Sequence, residues 1–153
     1  MRDQVKIVAH TLDGKLIKGF PDASSEFVKD ARRKQPTVVA PDRIPIKLFE
    51  NGKAATVNVQ KMKAVFFVKS FEGQAEYNEL KFFKSHPLLE GLWVRLTFAD
   101  GEATEGVVYN SMHHLVNPGF FLKPPDPQSN NELVYVLKSS LKDFRILGVR
   151  NSF

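Results

Sequence analysis

Asp13-Gly14-Lys15-Leu16-Ile17-Lys18-Gly19 and Asp100-Gly101-Glu102-Ala103-Thr104-Glu105-Gly106 decide how this chain is read. Each is an Asp-Gly pair with a second Gly five residues on. Asp-Gly supplies the positive φ values of a tight hairpin turn at no steric cost. A Gly inside the returning strand predicts a bulge or sharp bend, which lets a small sheet curl. Further along each copy, a Lys sits in an apolar run: Met62-Lys63-Ala64-Val65-Phe66-Phe67-Val68, then Leu141-Lys142-Asp143-Phe144-Arg145-Ile146-Leu147. The chain is written twice, and its halves are expected to share one architecture.

Outward from the turns, short apolar runs and alternations read as strands. Val5–Leu12 and Lys15–Phe20 flank the first turn. Ile44–Phe49 and Ala54–Val59 flank Asn51-Gly52, a strong hairpin signal. A tight turn at Gln60–Met62 leads to a fifth strand, Lys63–Val68, which is apolar on both faces and so expected at the centre of a sheet. The second copy repeats the order: Leu92–Phe98, Glu102–Tyr109, Gly119–Lys123, Glu132–Leu137 and Lys142–Leu147. Its third and fourth strands are joined by the Pro-rich loop Pro124–Asn131.

The expected fold is therefore mainly β: a tandem duplication of two five-stranded SH3/Sm-like barrels packed together. Residues 1–70 form the first barrel, with an insertion at 21–42 that carries a short helix near Ser25–Arg33, capped by Ser24 or Ser25. Residues 71–90 are a connector with a short helix over Ala75–Phe83. Residues 91–153 form the second barrel. A unit of about 60 residues buries only ~60% of its unfolded surface, so the barrels are expected to pack on each other.

Composition narrows the function classes. Hydrophobic residues make up 42% and charged residues 25%, as in an ordinary globule. No run of 18 apolar residues offers a membrane span, and Met1–Lys6 lacks the apolar core of a signal peptide. With no Cys, disulfides and thiolate chemistry are excluded. A cytoplasmic protein is expected. Net charge is +5, and the only dense basic cluster is Arg32-Arg33-Lys34. That cluster is a candidate for phosphate or an acidic partner; a solvated loop is the plainer reading.

The strand order, with Gly119-Phe120-Phe121-Leu122, Val134-Tyr135-Val136 and Leu141–Ile146, resembles that of the Sm/Hfq proteins. The resemblance implies oligomeric rings that bind RNA. The base-binding residues of that class are not matched, since this chain has Phe121-Leu122-Lys123 and Leu137-Lys138-Ser139-Ser140 in those places. Over most of its length the chain also resembles an uncharacterised bacterial domain family that often accompanies PilZ domains. The matching stretches are Val8–Phe20, Met62–Glu79, Val94–Asn110 and Pro118–Val136. That resemblance implies a bacterial origin and a regulatory or binding context, with no activity to carry over. PilZ domains bind cyclic di-GMP through Arg-x-x-x-Arg upstream of Asp/Asn-x-Ser-x-x-Gly. Asp22-Ala23-Ser24-Ser25-Glu26-Phe27 matches the second element in part, with Phe27 in place of the Gly, and no Arg-x-x-x-Arg precedes it.

Reactive constellations are sparse. His113-His114 is the only His pair, and neighbours on a strand point to opposite faces, so no metal site is expected. There is no Gly-x-Ser-x-Gly or P-loop, and no enzyme activity or cofactor is expected. Phe120 and Phe121 should face opposite sides of their strand. One enters a barrel core; the other meets the partner barrel, a second subunit or a ligand. The polar loop Pro124–Asn131 offers amides for recognition or simply stiffens a hairpin. The candidate binding residues are Arg32, Arg33, Lys34, Phe120, Lys123, Asn130 and Asn131. The expected function is a non-catalytic bacterial adaptor with a protein partner; the alternatives are an Sm-like RNA-binding protein and a cyclic di-GMP receptor. Oligomerisation is compatible with each.

Overall fold

The computed structural model describes residues 4–31, 42–72, 82, 91–109, 117–126 and 129–150. Turn chemistry sets its hairpins. β1 (Lys6–Thr11) and β2 (Leu16–Pro21) are joined at Asp13-Gly14, where Gly14 has φ +89°. β6 (Gly91–Phe98) and β7 (Ala103–Val108) are joined at Asp100-Gly101, where Gly101 has φ +92°. Within the loops, the Lys15 amide donates to the Thr11 hydroxyl at 2.8 Å and the Glu102 amide to the Asp100 carboxylate at 3.0 Å. β3 (Arg43–Leu48) and β4 (Ala54–Asn58) turn at Asn51-Gly52, and the Asn51 side chain accepts from the Lys53 amide at 2.9 Å. A single 3-10 turn, Val59–Lys61, feeds β5 (Met62–Val68). The second half has β8 (Gly119–Leu122), β9 (Asn131–Leu137), a 3-10 turn at Lys138–Ser140 and β10 (Leu141–Arg150).

Pairing repeats residue for residue as far as Phe67 and Ile146, beyond which β10 passes over Leu147 in a shift that β5 lacks. Ile7 faces Gly19 and Ala9 faces Ile17 on β1–β2; Val94 faces Gly106 and Leu96 faces Thr104 on β6–β7. On the other side, Ala9 faces Val65 and Ile7 faces Phe67, while Leu96 faces Phe144 and Val94 faces Ile146. Even the irregularity recurs, because Lys63 and Lys142 are both passed over at the start of the fifth strand. Gly19 and Gly106 mark no bulge in their own ladders. Each instead lets the third strand approach: an added Cβ would lie 2.7 Å from the Lys47 carbonyl oxygen or 2.8 Å from that of Lys123.

The assembly of these strands differs from two separate barrels. One sheet has seven strands in the order β4-β3-β2-β1-β5-β9-β8, and the other has three in the order β10-β6-β7. Neither closes on itself. A single antiparallel bridge, Val107–Lys123, joins β7 to β8. The third and fourth strands of the second half therefore extend the sheet of the first half, through pairs such as Val65–Tyr135 and Phe67–Leu133. The two halves share a sheet because β5 offers apolar side chains on both faces and can be buried on both.

Two main cores result. One holds Ile7, Ala9, Ile44, Val57, Val65 and Phe67 together with Phe121, Tyr135 and Leu137 from the second half. The other holds Val94, Leu96, Phe98, Phe120, Leu122, Val134 and Val136, with Ala64 contributed by β5. The first is closed by α1 (Glu26–Ala31), the described part of the 21–42 insertion. The Ser25 hydroxyl caps it by accepting from the Val28 amide at 3.3 Å. Phe27 drops onto the seam between the halves, 5.4 Å from the ring centres of both Phe121 and Tyr135 and 5.7 Å from that of Phe67. The connector helix expected over Ala75–Phe83 lies outside the described residues, apart from Phe82.

Candidate partner-binding surface

β10 carries the exposed apolar surface that the core does not account for. Phe144 (38% exposed), Ile146 (56%), Leu147 (38%) and Val149 (52%) follow one another along it. The corresponding side chains of β5 are closed off, Val65 at 0% and Phe67 at 6%. The difference lies in the neighbours. β5 has β1 on one side and β9 on the other, with Phe27 over Phe67; β10 has only β6 beside it among the described strands. Scattered surface apolar residues need no explanation, but several along one open strand make a surface suited to a partner. Phe144 is held in place edge-on against Phe120, at 5.5 Å between ring centres.

Charged groups beside this surface are used structurally. Lys63, at the start of β5, reaches across the seam to the β6–β7 hairpin. Its ammonium lies 2.7 Å from the Asp100 carboxylate, 3.1 Å from that of Glu102 and 4.5 Å above the Phe98 ring. Burial pulls the Lys63 pKa down, but the hydrogen bonds from its ammonium to Asp100 and Glu102 outweigh that, and the net shift is upward. The same ammonium hydrogen bond, with the Glu102 amide, holds Asp100 below the usual carboxylate range. Nearby, His10 packs against Phe66 at 4.3 Å; burial, then the charge of Lys63, lowers its pKa, with Glu102 opposing.

On the outer face of β6–β7 the Glu105 carboxylate is buried and fully engaged. It accepts from the Trp93 indole at 2.9 Å and from two Arg95 nitrogens at 3.0 and 2.6 Å. Both guanidinium hydrogen bonds go to Oε2 and the indole takes Oε1, so each carboxylate oxygen has a partner. Arg95 lies in turn 5.6 Å from the Phe82 ring centre. Among the described residues no group of three or more His, Asp or Glu side chains comes together as a metal site would need, and no helix is long and apolar enough to cross a membrane.

Only some of the candidates from the sequence fall on described residues. Arg32, Arg33 and Lys34, on which the phosphate readings rest, lie outside the described residues, as does His113-His114. Phe120 and Phe121 do face opposite ways, and both are buried, one in each core. Lys123 is exposed, and its backbone forms the bridge to Val107. Asn130 is a fastener: its side-chain amide donates to the Ser70 carbonyl at 2.9 Å and its oxygen accepts from the Ser70 amide at 2.9 Å. Asn131 begins β9, and its amide donates to the Ser129 hydroxyl. The exposed face of β10 is set by which strands lie beside it, which its own residues do not state.

A family model matches residues 3–148. The chain belongs to the family of unknown function DUF6982. The match takes in both sheets and all but the last residues of β10. Searches of curated proteins and of solved structures returned no match.

Proposed function

We propose that this chain is a non-catalytic binding module of the bacterial cytoplasm, built from two Sm/SH3-like repeats, that engages a protein partner along β10. The observation that carries the reading is the contrast between two equivalent strands: β5 is paired on both edges and buried, while β10 shows four apolar side chains and an open edge. An open strand edge is a template for strand addition, which gives main-chain hydrogen bonds for affinity and alternate side chains for specificity. The coincident registers of the two halves support the repeat, with the seam between β5 and β9 as its internal joint. The engaged state of Glu105 and of Lys63 supports a structural use of the strongest charged groups.

Photo-crosslinking in living cells tests the reading. With a photoreactive amino acid at Ile146, covalent protein adducts are expected; with the same residue at exposed Glu132, none are. Absence of adducts at Ile146 under conditions that crosslink a known control pair would overturn it.

A further inference from the structure

We infer that the partner of β10 is a second copy of this chain, added head to tail so that β10 of one copy pairs with β4 of the next. This rests on β10 being a docking strand, and it names the occupant.

The template is the internal seam. There, the fifth strand of the first half pairs antiparallel with the fourth strand of the second. Among the described strands four lie at sheet edges: β4, β8, β7 and β10. β7 and β8 are joined to each other by the Val107–Lys123 bridge. The two that remain open are β4, the fourth strand of the first half, and β10, the fifth strand of the second. They are the same two strand types that meet in the seam. A molecule whose halves join by one contact thus exposes both sides of that contact at its ends. Such a heterologous surface propagates from copy to copy, into a ring where the rotation closes and a filament where it does not.

The seam also fixes the register. Val65 faces Tyr135 and Phe67 faces Leu133. By the equivalence of the ladders, Phe144 then faces Thr56 and Ile146 faces Ala54 of the next copy, large side chains against small. The backbone of β4 is oriented for this. Pro45 lies opposite Thr56 and has no N–H to donate, so that pair is a non-hydrogen-bonded one. Antiparallel alternation then directs the Thr56 N–H and C=O outward, to the open edge. The charge contact has a counterpart too. Lys63 meets Asp100 in the seam, and the equivalent residues are Lys142 and Asp13, both exposed. The hairpin carrying Asp13 also exposes Leu12 and Leu16, where the β6–β7 hairpin has Ala99 and Ala103. Two features make the contact weaker than the seam. Lys15 stands where Glu102 does, and β10 carries Asp143 and Arg145, paired at 2.8 Å, where β5 has Ala64 and Phe66. Association is therefore reversible and concentration-dependent.

Sedimentation equilibrium of the purified full chain, from about 10 µM to about 1 mM, reads this association directly. The average mass should rise with concentration. Ile146→Lys, at the β10 end, and Thr56→Pro, at the β4 end, should each weaken self-association by at least about tenfold. Mixed in equal amounts, they should form a dimer and nothing larger, because each retains the surface the other lacks. Lys142→Glu should weaken assembly, and adding Asp13→Lys in the same chain should restore it. A chain that stays monomeric at the highest concentration overturns the inference. So does self-association that Thr56→Pro leaves intact, the mark of a symmetric β10–β10 dimer. Unchanged far-ultraviolet circular dichroism of each variant separates lost contact from lost fold. If Ile146 crosslinks to other proteins in cells while the pure chain is monomeric, the binding-module reading stands and self-assembly fails.

Discussion

β5 and β10 occupy the same place in the two halves, follow the same 3-10 turn and pair with their first strands in the same register as far as Phe67 and Ile146. One is among the most enclosed segments of the chain and the other among the most exposed. Local sequence accounts for the strand in both cases: β5 is a short continuous apolar run, and β10 alternates Phe144 and Ile146 with Asp143 and Arg145. Burial is settled by what arrives from elsewhere: β9 from the second half, and Phe27 from an insertion that only the first half has. The remaining positions record the difference. β5 has Ala64, Phe66 and Val68 where β10 has Asp143, Arg145 and Leu147. Charges at an edge discourage indiscriminate strand pairing. β10 is thus an edge whose pairing is restricted rather than abolished, which suits a specific partner.

The comparison breaks most visibly at paired core positions. Phe67→Ala removes a ring from the seam beside Phe27 and Phe121, and should cost about 3–5 kcal/mol, as large-to-small changes of aromatic core residues do. Ile146→Ala, at the equivalent position of β10, should cost under about 1 kcal/mol in dilute solution, where no partner covers it. Urea unfolding monitored by circular dichroism measures both. Similar losses at the two positions would mean that β10 is covered within the monomer, and the surface proposed for docking would not exist.

How much of this was legible in the sequence follows from the range of each signal. Turns were legible because their cause is local: Asp-Gly and Asn-Gly adopt the positive φ that tight hairpins need, and β1–β2, β3–β4 and β6–β7 turn where those pairs stand. The like pairing of β1–β2 and β6–β7 was legible from the two Asp-Gly pairs. The sharing of a sheet was not, because Val65-Phe66-Phe67-Val68 announces only that both faces are buried, and a neighbouring barrel or a neighbouring strand satisfies that equally. Gly19 and Gly106 were read as bends, whereas their cause is a third strand whose backbone passes within contact of them. Asn130 and Phe120 drew attention as candidate recognition residues, yet they fasten Ser70 and fill a core. A polar loop residue that ties two segments together looks the same in sequence as one that awaits a ligand. The open face of β10 is a property of what fails to pair with it, and no local pattern encodes that.

The two lysines sharpen the comparison at smaller cost. Lys63 is held by Asp100, Glu102 and the Phe98 ring, with its side chain largely covered. Lys63→Ala should destabilise by about 1 kcal/mol, the net worth of hydrogen bonds to charged groups that are themselves partly exposed. Lys142→Ala should change monomer stability by less than about 0.5 kcal/mol, and show its effect only at concentrations where copies associate. Thermal unfolding at low and high protein concentration separates the two cases. A concentration-dependent loss at Lys63 instead would place the intermolecular contact at the wrong end of the molecule.

The smallest effect is a pH dependence peculiar to the first half. His10 stands in β1 where β6 has Thr97, so among the described residues only the first half carries an imidazole against its fifth strand. Burial against Phe66 and the positive charge of Lys63 lower its pKa. A base with a lowered folded-state pKa binds its proton more readily when unfolded. The stability it contributes is therefore complete above the ordinary imidazole value of 6.5 and falls as pH drops from there toward the folded value. Unfolding free energy should accordingly decline as the solution is taken below 6.5, in a range where the carboxylates remain ionised. His10→Gln should flatten that decline while leaving the steeper loss at lower pH, where protonation of Asp100 removes one of the two carboxylates that hold Lys63. A decline that persists unchanged in His10→Gln would assign it to other groups, and would remove the imidazole as a distinction between β5 and β10.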